Sequence, residues 1–297
     1  MNNDSYKLKY LKYKEKYLEL KEMNAGMNPV EVNMIEKIRI LKDEMKVLND
    51  LIIKDKRGEN INIFEIIKEY SRISKYVYDI FRSWFLESEE GREWLLKKRE
   101  ELKLIKNEEA YNLKINLLTD NITLEQIEIE NDEDGNIISV PVNQGYDEIE
   151  NRININIHTH PYNQGLHYLD FKLPYKGELN YPKLLSMPSN IDINTSLEAN
   201  LRYYTFDGII SESDISFYSM HDELIMEMIQ NPIKHDLLFD VLMFNANRIK
   251  SDLVMDIYQR LSTEELISQL KKRYLNLLDP EHDAGIKAIK FEIIKLD

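Results

Sequence analysis

The spacing of apolar residues changes near residue 110, and that change limits the folds open to this chain more than any other feature. Before it, side chains recur at alternating steps of four and three, as on helices that pack lengthwise. Tyr6, Tyr10, Tyr13, Tyr17 and Leu20 form one stripe, with lysines on the opposite face, and Ile38, Leu41, Met45, Leu48 and Ile52 form a second. A break from Asn24 to Pro29, containing Gly26, separates them. Such stripes pair with one another inside the chain or with a partner chain, including a second copy. Residues 62–87 are apolar on most faces and read as a central helix, and another helix follows from Gly91 to about Lys106.

From Tyr111 to Ile157 the period is two, in NLKINLLT, ITLEQIEIE, NIISVPV and RININIHTH, with the turn signal Asp134-Gly135 between the second and third. The stretch from Tyr162 to Met187 is too long for an ordinary connection and reads as an insertion or functional loop. A short helix over Ile191–Leu201, a hairpin from YTFDGIIS into DISFYSM, helices from His221 to about Leu278 and a closing strand in GIKAIKFEIIKL complete the chain. The pattern predicts an α+β fold in which a central mixed β-sheet is flanked by N-terminal and C-terminal helices. Its expected divisions are a helical, coiled-coil-like extension over 1–90, a mixed core over 91–220, and C-terminal helices with a strand over 221–297.

Composition narrows the chemistry. A net charge of −14 opposes phosphate backbones and anionic membranes, so neither nucleic acid nor a bilayer is expected as a partner. Between Ile115 and Glu150 ten acidic residues occur without a single Lys or Arg, which reads first as a solvated acidic loop. The opening MNNDSYKLKY has no apolar signal region, and an intracellular protein is expected. With no cysteine, thiol nucleophiles, iron–sulfur clusters and Cys-ligated zinc are excluded, and any metal must be held by His, Asp or Glu.

One segment offers such ligands. In Asn154-Ile155-Asn156-Ile157-His158-Thr159-His160-Pro161, strand geometry puts Ile153, Ile155 and Ile157 on one side and Asn156, His158 and His160 on the other. Pro161 ends the ladder, so both imidazoles stand at the mouth of the sheet. Neutral imidazole is a common zinc ligand, and a catalytic zinc needs three protein ligands. The residues also allow a plainer reading, in which the two histidines bond to loop carbonyls. His221-Asp222-Glu223, His235-Asp236 and Glu281-His282-Asp283 read as solvated helix faces, and His167 lies in the long loop.

HTHP at a strand end, PSNID downstream (Pro188, Ser189, Asn190, Ile191, Asp192) and a glutamate about fifty residues upstream together resemble the JAMM/MPN+ metallopeptidases. The resemblance covers about residues 90–220 and implies an MPN-like core. It also implies a zinc ion bound by His158, His160 and Asp192, Glu109 as general base, and Ser189 as oxyanion helper. Its substrates would be amide or isopeptide bonds to ubiquitin-like or other proteins. Two departures stand out: His160 and Ser189 are unusually far apart, and no glycine follows Glu109. Ser211-Glu212-Ser213-Asp214 offers a second S-x-x-D, so Asp192 and Asp214 both remain open as third ligand, although Ser211–Asp214 also reads as the turn of the hairpin. A catalytically inactive MPN-like scaffold or helical interaction module is the alternative. Separately, YLKYKEKYLELK resembles the opening of proteins from giant DNA viruses of amoebae, which implies the host cytoplasm or the virion as location.

Overall fold

Pro29 opens the first helix of the described residues, where a residue without an N–H costs nothing because that donor would have no helical partner. The computed structural model describes residues 29–105, 107–131, 137–139, 145–147, 151–161, 186–188, 192–196, 206–231, 235–253, 261–279 and 285–296. The tyrosine and lysine stripe of residues 6–20 lies outside them. In α1 (Pro29–Lys56) the residues Met34, Ile38, Leu41, Met45 and Leu48 alternate four and three apart and are all buried. The stripe packs within the chain, against α2 (Ile63–Leu86).

Asn62 caps α2 by accepting from the N–H of Phe64, and Ser88 caps α3 (Glu89–Leu102) by accepting from that of Gly91. The turn between these helices is tight. The Ser88 hydroxyl donates back to the Trp84 carbonyl at 2.6 Å, and Gly91 lies so close that a β-carbon there would overlap the same carbonyl oxygen.

The strands are β1 (Ala110–Asn116), β2 (Asn121–Ile127), β3 (Glu130–Asn131), β4 (Ile137–Ser139), β5 (Gly145–Asp147), β6 (Arg152–Thr159), β7 (Asp207–Ile210), β8 (Asp214–Met220) and β9 (Ile289–Lys295). Those of the main sheet run in the order β2-β1-β6-β7-β8-β9, with β5 pairing the first half of the β6 edge that β7 continues. β6 and β7 are parallel and the other pairs antiparallel, so the sheet is mixed. β3 and β4 form a separate short ribbon. Ser211–Asp214 makes the β7–β8 turn: the Ser211 N–H donates to the Asp214 carbonyl at 2.9 Å.

Two apolar cores lie on opposite faces of this sheet. On one, Tyr111, Leu113 and Ile115 of β1, Ile153, Ile155 and Ile157 of β6, and Ile210, Ile215 and Phe217 pack against α1, α2 and α3. Residues 29–86 therefore share a core with the strands. On the other face, Ile209, Tyr218, Met220, Ile289, Phe291 and Ile293 pack against α4 (Asp222–Gln230), α5 (His235–Leu253) and α6 (Thr263–Leu275). The result is the expected α+β fold, a mixed sheet flanked by helices from both ends of the chain. Among the described residues no helix is long and apolar enough to cross a membrane.

Gly91 supplies a test of this packing. Gly91→Ala is expected to force the α2–α3 turn apart and cost about 2–3 kcal/mol, seen as a drop of roughly 5–10 °C in melting temperature. An unchanged melting temperature would show that the turn is looser than described.

Candidate metal centre

The pleat of β6 decides where its imidazoles point. Ile153, Ile155, Ile157 and Thr159 are buried towards α1–α3, so Asn154, Asn156 and His158 project from the opposite face. The His160 N–H still donates to the Ile210 carbonyl at 2.9 Å, which fixes it as the last rung on the β7 edge before Pro161. The two rings meet Nε2 to Nε2 at 3.2 Å.

Asp192 arrives on a helical turn, residues 192–196, within the connection between β6 and β7. The chain leading to it is pinned to the sheet and to α6. The Ser186 N–H donates to Asp214 Oδ1 at 2.6 Å, its carbonyl accepts from the Ser216 hydroxyl, and the Pro188 carbonyl accepts from the Tyr274 hydroxyl at 3.1 Å. Met187 and Ile193 bury their side chains in the second core. Asp192 is thereby set with Oδ1 3.2 Å from His158 Nε2 and Oδ2 3.8 Å from His160 Nε2.

These distances fit a metal. Ligand atoms at about 2.0–2.2 Å from a tetrahedral ion lie about 3.3 Å from one another, and one atom from each of His158, His160 and Asp192 falls within 4.8 Å of the others. The trio can hold a metal ion. Asp214, the other aspartate open from the sequence, serves elsewhere: its carboxylate accepts from the Ser186 N–H and, at 2.5 Å, from the Ser213 hydroxyl.

The glutamates divide by strand parity. β1 and β6 pair with Ala110 opposite His158, and continuing that register sets Glu108 opposite His160 and Glu109 opposite Thr159. Glu108 Oε1 lies 3.9 Å from His160 Nε2. Glu109, the residue expected as base, points to the other face, where its Oε2 accepts from Lys98 Nζ and from the Tyr111 hydroxyl, both at 2.8 Å. The sequence reading did not single out Glu108. The β1–β6 register sets the two on opposite faces, and register is a long-range property that no local pattern around Glu108 encodes. Ser189 and His167 lie outside the described residues. His221 takes no part in the cluster and caps α4, its Nδ1 accepting from the Glu223 N–H at 3.2 Å.

The surroundings favour positive charge. Burial works to lower the His158 pKa, but the Asp192 carboxylate, aided by Glu108 and Asp207, outweighs it and pushes the imidazole up to about 9. Burial, reinforced by Asp207 and Asp192, also raises the phenol of Tyr218, and burial with Asp192 does the same to Tyr274, so both remain neutral. Three carboxylates, those of Asp192, Glu108 and Asp207, thus act on His158.

Comparison with family models, curated proteins and solved structures returns no match for this chain.

The raised His158 pKa fixes the sign of a pH dependence. In the metal-free protein His158 is protonated below about pH 9, and a metal must displace that proton. Zinc affinity is expected to strengthen roughly tenfold per unit between about pH 6.5 and 8.5, measured by competition with a chelator of known affinity. His158→Ala should abolish the site. An affinity flat across that range would remove His158 from the ligand set.

Proposed function

We propose that this chain is a zinc-dependent peptidase of JAMM/MPN+ type. The observation that carries the reading is the convergence of His158, His160 and Asp192 with a fourth group, the Glu108 carboxylate, beside them. Two nitrogens and one carboxylate oxygen are a donor set for a four-coordinate ion with one position open, whereas calcium and magnesium take six or more oxygens. Iron(II) accepts the same trio, and metal analysis separates the two. When bound, zinc supplies Lewis acidity that polarises a carbonyl and lowers the pKa of water towards about 7.

The remaining work falls to the chain's own residues. Glu108 is largely buried, at 8% exposure, and in this reading it takes a proton from a water at the cluster as the water oxygen bonds to the carbonyl carbon, then delivers it to the amine as the C–N bond breaks. His158 and His160 enter as neutral ligands, and Asp192 offsets part of the ion's charge. Substrates would be proteins joined by amide or isopeptide bonds, with ubiquitin-like conjugates the first class to try.

The test uses purified full-length protein loaded with zinc. One zinc per chain and hydrolysis of an isopeptide-linked substrate are expected, and Glu108→Gln should keep the zinc while losing about 10²- to 10⁴-fold in kcat. A protein that holds zinc yet hydrolyses none of these conjugates would instead be the inactive scaffold. A Glu108→Gln variant with full activity would remove Glu108 as the base.

A further inference from the structure

Glu108 and Glu109 are chemically identical neighbours, and in extended backbone neighbours face opposite sides. Nothing in either residue determines which one meets the histidines. We propose that Lys98 makes that selection and is a positioning residue for the metal centre, a role that rests on the reading of Glu108 as the base.

Lys98 belongs to α3, and in LLKKREELK it looks like one more solvated lysine. In the fold its side chain is only 9% exposed. Its ammonium bonds to Glu109 Oε2 at 2.8 Å and also to Glu101, and it lies 5.4 Å from the Tyr111 ring centroid and 5.9 Å from that of Trp94. Desolvation alone would lower its pKa, but the two carboxylates and Tyr111 overcome this and keep it charged. A buried ammonium needs its counter-ions, because removing one leaves charge in a medium that solvates it poorly. Tyr111 adds a second donor to the same Glu109 oxygen, at 2.8 Å. Glu109 is therefore drawn to the α3 face of the sheet, and Glu108 must take the other.

The grip reaches the ligands through the backbone. The Glu109 N–H donates to Thr159 Oγ1 at 2.9 Å, and the Thr159 N–H donates to the Glu109 carbonyl at 2.9 Å. Thr159 is fully buried and sits between His158 and His160. One lysine on a helix thus acts, through Glu109, on both the direction of Glu108 and the strand end that carries the two imidazoles, adding to the β6–β7 bond that holds His160.

The closing experiment is a double-mutant cycle read in zinc affinity, so it does not depend on hydrolysis. Zinc dissociation constants are measured for full-length wild type, Lys98→Met, Glu108→Gln and the double variant. With Glu108 held beside the ion, Glu108→Gln should weaken zinc binding about fivefold or more in the wild-type background, through the lost carboxylate charge. In the Lys98→Met background the same change should cost less than about twofold. Lys98→Arg, which keeps the charge, should restore most of the difference. A role in stability alone would lower the melting temperature but leave the Glu108→Gln penalty equal in both backgrounds, and that equality would overturn the proposal. So would a Glu108→Gln variant that binds zinc as tightly as wild type. If Lys98→Met fails to fold, Tyr111→Phe removes the second donor to Glu109 and carries the same cycle. A wild-type protein that binds zinc without hydrolysing any conjugate would overturn the peptidase reading while leaving the Lys98–Glu108 coupling measurable.

Discussion

The alternation of side chains along β6 is the constraint on which the other elements depend. Ile153, Ile155 and Ile157 must leave water, and α1, α2 and α3 cover them. Once that face is committed, Asn154, Asn156 and His158 have no choice but the other one. A shift of one residue in the pairing of β6 would turn the imidazole into the first core and the isoleucines to the polar histidine face, so the register is enforced by the whole first core and not by any single bond. The geometry of the candidate metal centre is in this sense a by-product of apolar packing on the reverse of the sheet.

The second core does for Asp192 what the first does for the histidines. Asp192 lies far from β6 in sequence, and the chain around it is held by Ser186, Pro188 and Ile193 against β8 and α6. Asp214 is the hidden part of this arrangement. It has the right residue type for a ligand, yet its use is to receive the Ser186 N–H, so a carboxylate outside the histidine cluster helps to place the one inside it. The C-terminal helices α4 to α6, which carry none of His158, His160 and Asp192, matter to the centre through Tyr274 and the apolar bed beneath Ile193.

What the sequence made legible follows from the range of each interaction. Helices α1 to α3, strands β1, β2, β6 and β9 and the β7–β8 hairpin were readable because their signals are local: a stripe at four and three, an alternation at two, a turn at Ser211–Asp214. His158 and His160 were readable for the same reason, since two residues on one strand share a face wherever the strand goes. Asp192 joins them in the fold, whereas in the sequence it was favoured over Asp214 only because Ser211–Asp214 also reads as a hairpin turn. Glu109 in place of Glu108 shows where local reading stops. Choosing between adjacent glutamates required knowing that Ala110 sits opposite His158, and that Lys98, to all appearance a surface residue, is buried beside Tyr111.

The parallel pairing of β6 with β7 has a further mechanical meaning. Parallel neighbours cannot be joined by a tight turn, so the chain must leave the end of β6 and return to the start of β7 by a crossover, and Asp192 lies on that crossover while both histidines lie at its root. An ion held by all three would close a ring through residues 160–192, acting as a removable staple in a chain that has no cysteine to make a permanent one. Metal occupancy would then add a removable anchor to those that Ser186, Pro188 and Ile193 already give the crossover.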